Sequence, residues 1–332
     1  MLRKRRGFVS PYKSQGGMAV AAMVVFLGAI VFAGFVYFFQ IEQRSLLNRE
    51  ENEKERYMEE VAENLEGWYE KNSANLDLKF KADLNNLMTH ESQFLSADEV
   101  LSRLEKEYPG PRKYGIQFLV SPEACTNDKT IAGNSMVCFK KLAAYIQDGR
   151  NAGVGKPSFV KGPAGATDDY AFEPNGNRLY TVVNGRDIQS KKLADTLSRM
   201  QSNAERMEVF ARAKLQSDPN HDVSFNYFKA QDCAQPRDDE VRCTGGFKSF
   251  GSEAELKKYG YQQMFGLSMN DMTNDWGTPI WLNNDNNGGN IRGQRYTPMQ
   301  YADVHWPPFT AVYTTVTPWG FAVSVKATQL IN

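Results

Sequence analysis

Twenty-two consecutive residues, Met18 to Phe39, contain no charged and no strongly polar side chain. At 1.5 Å per helical residue they reach about 33 Å, enough to cross a hydrocarbon core of about 30 Å. A secretory signal has a shorter apolar region that ends in a small-residue cleavage pattern. Here the run passes into Ile41-Glu42-Gln43 without one. The pattern therefore predicts a transmembrane helix over residues 18–39, preceded by a basic cytoplasmic leader over 1–17. Beyond it the period changes. Tyr57, Met58, Val61, Leu65, Trp68 and Tyr69 recur in steps of three and four within a stretch rich in Glu, Lys and Arg. That spacing makes one apolar face of a continuing amphipathic helix over 40–88. A strict heptad seam is not sustained, so the face is expected to pack on a globular body.

The remainder alternates shorter signals. Ser96-Ala-Asp-Glu99 is a capping-box pattern for a helix that must stop before Pro109-Gly110-Pro111. Tyr114 to Val120 reads as a strand, Cys138 to Gln147 as a short helix, and the Gly- and Pro-rich stretch Gly149 to Asp169 as a loop. Leu179 to Val183 with Asn184-Gly185 reads as a strand entering a tight hairpin-type turn. Leu193, Leu197, Met200, Ala204, Met207, Ala211 and Leu215 form a second long helical stripe that ends at Asp218-Pro219. Val223 to Phe228 alternates as a strand, and Ser252 to Glu255 opens another capped helix. Pro279 to Leu282, Phe309 to Thr317 and Phe321 to Thr328 read as strands. The expected class is α+β, with a long N-terminal helix and a head over residues 89–332 built on a mostly antiparallel sheet.

Charge orients the chain. Arg3, Lys4, Arg5, Arg6 and Lys13 precede the first acid, Glu42, and hold the N-terminus in the cytoplasm. The rest of the chain carries five more acidic than basic residues, which argues against nucleic acid as a partner. Four cysteines, Cys125, Cys138, Cys233 and Cys243, suit an oxidising compartment, and neither local spacing is that of a C-x-x-C pair. Three connectivities are open; local pairing, 125 with 138 and 233 with 243, closes two short loops worth about 2–3 kcal/mol each. No enzyme constellation stands out. His90, His221 and His305 lack ligand spacing, and Gly149 to Lys156 fails the phosphate-loop spacing and is followed by Pro157.

Gly16-Gly17-Met18, after a short basic leader and just before the apolar run, resembles a prepilin peptidase site cut after Gly17. The layout of one long helix on an α+β head is that of type IV pilins and pseudopilins. Met58 to Asn72 is similar to the helix that follows the membrane span in shufflon-type minor pilins of thin conjugative, type IVb pili. Asn274-Asp-Trp-Gly-Thr-Pro-Ile280 resembles the Trp-Gly-x-Pro turn of pseudopilins and minor pilins, and Pro307 to Gly320 looks like the tail of the same minor pilins. The resemblance covers roughly the first 90 and last 60 residues. It implies no catalysis. It implies a structural or tip subunit, held in the inner membrane before assembly with its head periplasmic, and displayed in a cell-surface pilus afterwards. The family usually carries Glu at the fifth residue after the cut, where it pairs with a neighbour's N-terminal amine. Here that residue is Ala22; tip-type pseudopilins and some minor subunits also lack the Glu, so a minor subunit is implied.

Ala22, Gly28, Ala29 and Ala33 give the anchor small faces for packing against other pilin subunits, although small residues are frequent in any membrane helix. Asn283 to Asn290, with Asp285 and Asn287 and with Asp271 and Asp275 nearby, could supply oxygens to calcium, as a loop of certain pseudopilins does; the alternative is a plain Asx/Gly hairpin loop. Trp276, Trp281, Trp306 and Trp319 would either line a surface for a cell-surface glycan or form the core of a small sheet. The other class of function is a single-pass periplasmic accessory or sensor protein that keeps its leader.

Overall fold

The computed structural model describes residues 15–76, 95–128, 135–147, 155–162, 169–221, 226–228, 249–284 and 309–329. The chain divides into two units, Met1–Glu59 and Glu60–Asn332. The first contains most of helix α1 (Gln15–Leu76), which runs without a break through the apolar and amphipathic segments. Every large apolar side chain from Met23 to Ile41 is exposed, between 42 and 72%. This part of α1 is long and apolar enough to cross a membrane.

The second unit is an α+β head. Its share of α1 buries Val61, Leu65, Trp68, Tyr69 and Ser73, the face that the sequence spacing predicts, extended by one polar position. Helix α2 (Ala97–Glu107) starts at Ser96, whose hydroxyl accepts from the Glu99 amide while the Glu99 carboxylate accepts from the Ser96 amide, so the capping box is complete. Strands β1 (Gln117–Val120), β4 (Lys141–Tyr145) and β7 (Tyr180–Asn184) form one antiparallel sheet in the order β1-β4-β7. Strands β2 (Ala124–Asp128) and β3 (Ser135–Phe139) form a hairpin, as do β5 (Ser158–Lys161) and β6 (Tyr170–Glu173). Helix α3 (Gly185–Ser217) follows β7, and the short helices α4 (Glu253–Lys258) and α5 (Tyr261–Phe265) come next. The second sheet is β10-β9-β8, from β8 (Trp281–Asn283), β9 (Thr310–Val316) and β10 (Ala322–Thr328).

Helix α3 is the spine of the head. At 1.5 Å per residue it is about 50 Å long, and it packs on both sheets and on the β2–β3 hairpin. Its N-terminal part joins a core of Val137, Cys138, Phe139, Trp276, Trp319 and Val323 through Leu193. Farther along, Met200, Ala204, Met207 and Ala211 enter a second core with Phe265, Ile280, Leu282, Tyr313 and Ala327.

Four local expectations are corrected. The Cys138 to Gln147 stretch is not a helix: it is the end of β3, then β4. Residues 137–140 and 142–146 are all buried, so the segment has no polar face to reveal its period, and a short apolar run fits either element. Asn184-Gly185 is not a hairpin turn. Asn184 caps α3, its side-chain oxygen accepting from the Arg186 amide at 3.2 Å, and Gly185 is the first helical residue. The Gly149 to Asp169 loop contains β5, whose partner β6 the sequence pattern did not reveal. The described end of the Val223 to Phe228 segment is a turn rather than a strand. Residues 77–88 of the expected helix lie outside the described residues.

Candidate functional site

Gly17 and Met18, the expected processing site, lie in the first turns of α1. Ala22, Gly28, Ala29 and Ala33 follow on the same helix and are exposed. At 100° per residue, Ala22, Ala29 and Ala33 fall within about 20° of one line down the helix, while Gly28 lies off it. A Cβ built on Gly28 meets no atom within 4 Å. These positions leave the backbone open to close approach by another helix.

The Asn274 to Ile280 turn is organised by a single side chain. The Asn274 Oδ1 accepts from the Trp276 amide at 3.1 Å and the Thr278 amide at 2.9 Å. Its Nδ2 donates to the Thr278 hydroxyl and, at 2.9 Å, to the Thr315 hydroxyl on β9. Gly277 takes φ of 80°, a left-handed conformation that favours glycine. The turn thus drives Trp276 into the head, where its indole N–H donates to Gln189 Oε1 at 2.7 Å and its ring meets Trp319 edge to face at 5.4 Å. Trp319 donates to the Met136 carbonyl of β3 at 2.9 Å. Gln189 in turn donates to the Ser73 carbonyl of α1 at 3.2 Å.

The disulfide between Cys125 and Cys138 joins directly opposed residues of β2 and β3. Cys233 and Cys243 lie outside the described residues. Beside the bridge, the Lys140 ammonium, 1% exposed, pairs with Glu123 at 2.9 Å. A buried pair of this kind is costly to break, because the remaining charge is left without compensation.

Of the expected calcium ligands, Asp271 and Asp275 are both turned toward α3 and hold different arginines. Asp275 pairs with Arg199 at 2.8 Å and accepts from the Thr196 hydroxyl at 3.2 Å. Asp271 pairs with Arg206 at 3.3 Å and accepts from the Ser268 amide and hydroxyl at 2.8 and 2.7 Å. Burial pushes the Asp271 carboxyl up, but the Ser268 hydrogen bonds and the Arg206 guanidinium together outweigh it and leave it below the ordinary carboxylate value. Asn283 is buried on β8; Asp285 and Asn287 lie outside the described residues. Trp276, Trp281 and Trp319 are all buried, the core-forming alternative of the two; Trp306 lies outside the described residues.

An open cleft of roughly 380 Å³ lies along α3 and the head's portion of α1. It is lined by Glu66, Glu70, Asp187, Asp195 and Asp275, with Lys191 and Lys192. Lys192 donates to the Glu70 carbonyl at 2.8 Å and the Ser73 hydroxyl at 2.7 Å, so its ammonium is anchored to the end of α1. Desolvation lowers its pKa; Glu70 and Asp275 offset part of that.

Comparisons with protein-family models, with curated proteins and with solved structures gave no match.

The linking roles of three residues, Gln189, Ser73 and Gly185, were not read from the sequence, in which Gly185 figures only as part of an expected turn. Two carried a signal. Gln189 lies four residues before Leu193 and Ser73 four residues after Tyr69, so each is a polar residue on the continuation of an apolar stripe. Gly185 carried none, because its role depends on Tyr69, which packs over it, and on the Lys140 carbonyl, which accepts its amide at 3.1 Å.

Proposed function

We propose that the chain is a minor pilin or pilin-like structural subunit, whose helix supplies a fibre core and whose head faces outward. The observation that carries this reading is α1 itself. It is one continuous helix whose first half is apolar and exposed and whose last part is integral to the head. Beyond the apolar run α1 continues for about ten turns past Phe39. Exposed apolar surface of this extent needs lipid or other helices around it. Both environments are met in turn by a subunit that leaves the membrane for a fibre. The small positions Ala22, Ala29 and Ala33 support the second. The bridged hairpin suits a head exposed to an oxidising exterior.

In this reading prepilin peptidase removes residues 1–17, and Met18 begins the mature chain. The inner membrane, the peptidase and other pilin subunits are the partners, and Ala22, where most subunits carry Glu, favours a minor subunit over the major one. The test is the N-terminal sequence of the mature protein from cells with and without the peptidase. A peptidase-dependent start at Met18 is expected. An intact Met1 would overturn the reading in favour of an anchored accessory or sensor protein. Ala29→Leu is expected to abolish incorporation into fibres while leaving the head folded.

A further inference from the structure

The bridged hairpin and the end of α1 are joined by an unbroken series of contacts within the head. Among the described residues β2 and β3 pair only with each other, and an isolated two-stranded hairpin is marginal in water. The Cys125–Cys138 bridge closes it. Cys138 is buried at 1% exposure, while Cys125 is half-buried. Two residues before Cys138, the Met136 carbonyl holds the Trp319 indole. Trp319 supports Trp276, Trp276 donates to Gln189, and Gln189 donates to the Ser73 carbonyl. Ser73 is fully buried on the face of α1 that packs into the head. Gln189 of α3 is thus a polar link to the main chain of α1, held by a tryptophan pair that rests on the hairpin.

We propose that the Cys125–Cys138 bridge is a redox-sensitive clamp on residues 65–76 of α1, acting through Trp319, Trp276 and Gln189. A dithiol reductant breaks the S–S bond and leaves two thiols. The two electrons and two protons come from the dithiol, which closes to its own disulfide. Without the bridge the hairpin loses its cross-link, the Met136 acceptor is no longer fixed, and the tryptophan pair loosens from Gln189. The end of α1 then opens more readily, while the core of α3 around Met200 to Ala211 has no part in the series and stays closed. The inference stands on the head's geometry and does not depend on the pilus reading.

The test is amide hydrogen exchange on the full-length protein in detergent micelles. It compares oxidised protein, protein treated with dithiothreitol, and the Cys125→Ser/Cys138→Ser variant, which leaves Cys233 and Cys243 untouched. Loss of the bridge is expected to speed exchange in residues 65–76 about tenfold while residues 200–211 are unchanged. Gln189→Ala, and independently Trp276→Phe, which removes only the indole donor, should raise exchange in 65–76 to a similar level and make it insensitive to the bridge. Unchanged exchange in 65–76, a uniform rise throughout the head, or additive effects of Gln189→Ala and bridge loss would each overturn the proposal.

Discussion

Two stretches of α1 have the same backbone and opposite surroundings. From Met23 to Ile41 the large side chains are apolar and exposed all round; from Val61 to Ser73 the helix is polar except for one buried face. Among the described residues the first stretch is not buried within its own unit, and its composition fits lipid or other helices. The second is part of the head's core, with Val61, Leu65 and Tyr69 at 0% exposure. An apolar residue in the first stretch therefore reports on the apolar surroundings of that stretch. One in the second reports on folding of the head.

Substitution separates the two most sharply at Leu65 and Phe32. Leu65→Ala is expected to cost the head about 3–4 kcal/mol by cavity formation, read as a lowered midpoint in chemical unfolding. Phe32→Ala should leave that midpoint unchanged and weaken membrane retention instead. Equal effects would erase the distinction. Gly185→Ala comes next, at about 2–3 kcal/mol: a Cβ there would overlap the Tyr69 ring and the Lys140 carbonyl oxygen, so the start of α3 or Tyr69 must shift. Thermal unfolding checks it, and Tyr69→Ala in the same chain should recover part of the loss specific to Gly185→Ala. Asn274→Ala is expected to cost about 2 kcal/mol by leaving the buried Trp276 amide without its acceptor. Its signature is a red shift of tryptophan emission with the apolar stretch of α1 unaffected.

The smallest effect is electrostatic. The folded Asp271 carboxyl lies below its ordinary value, so its contribution to stability is present above the unfolded pKa of about 3.9 and is lost as pH falls through the lower folded value. Asp271→Asn should remove this part of the acid dependence while leaving the neutral-pH profile flat. Unfolding midpoints between pH 2 and 6 measure it; an unchanged acid limb would show that Arg206 and Ser268 do not favour the ionised carboxyl.

The sequence by itself determined what depends on neighbours along the chain. The apolar run, the stripes of α1 and α3, the caps at Ser96 and Ser252, the stop at Asp218-Pro219 and the three C-terminal strands all follow from local spacing or local hydrogen bonding. The Asn274 to Ile280 turn was expected only from a resemblance, yet it too is local, because one asparagine builds it from adjacent amides. Only tertiary structure decided whether Cys138 to Gln147 was helix or strand, since burial on all sides removes the polar face that would mark its period. Only tertiary structure turned Asn184-Gly185 into a helix start, because Tyr69, far away in sequence, packs over the glycine. It also chose the partners of Asp271 and Asp275, Arg206 and Arg199 of α3, and brought Gln189 between Trp276 and Ser73. Local pattern fixes which elements form, and long-range packing selects which polar groups on them meet.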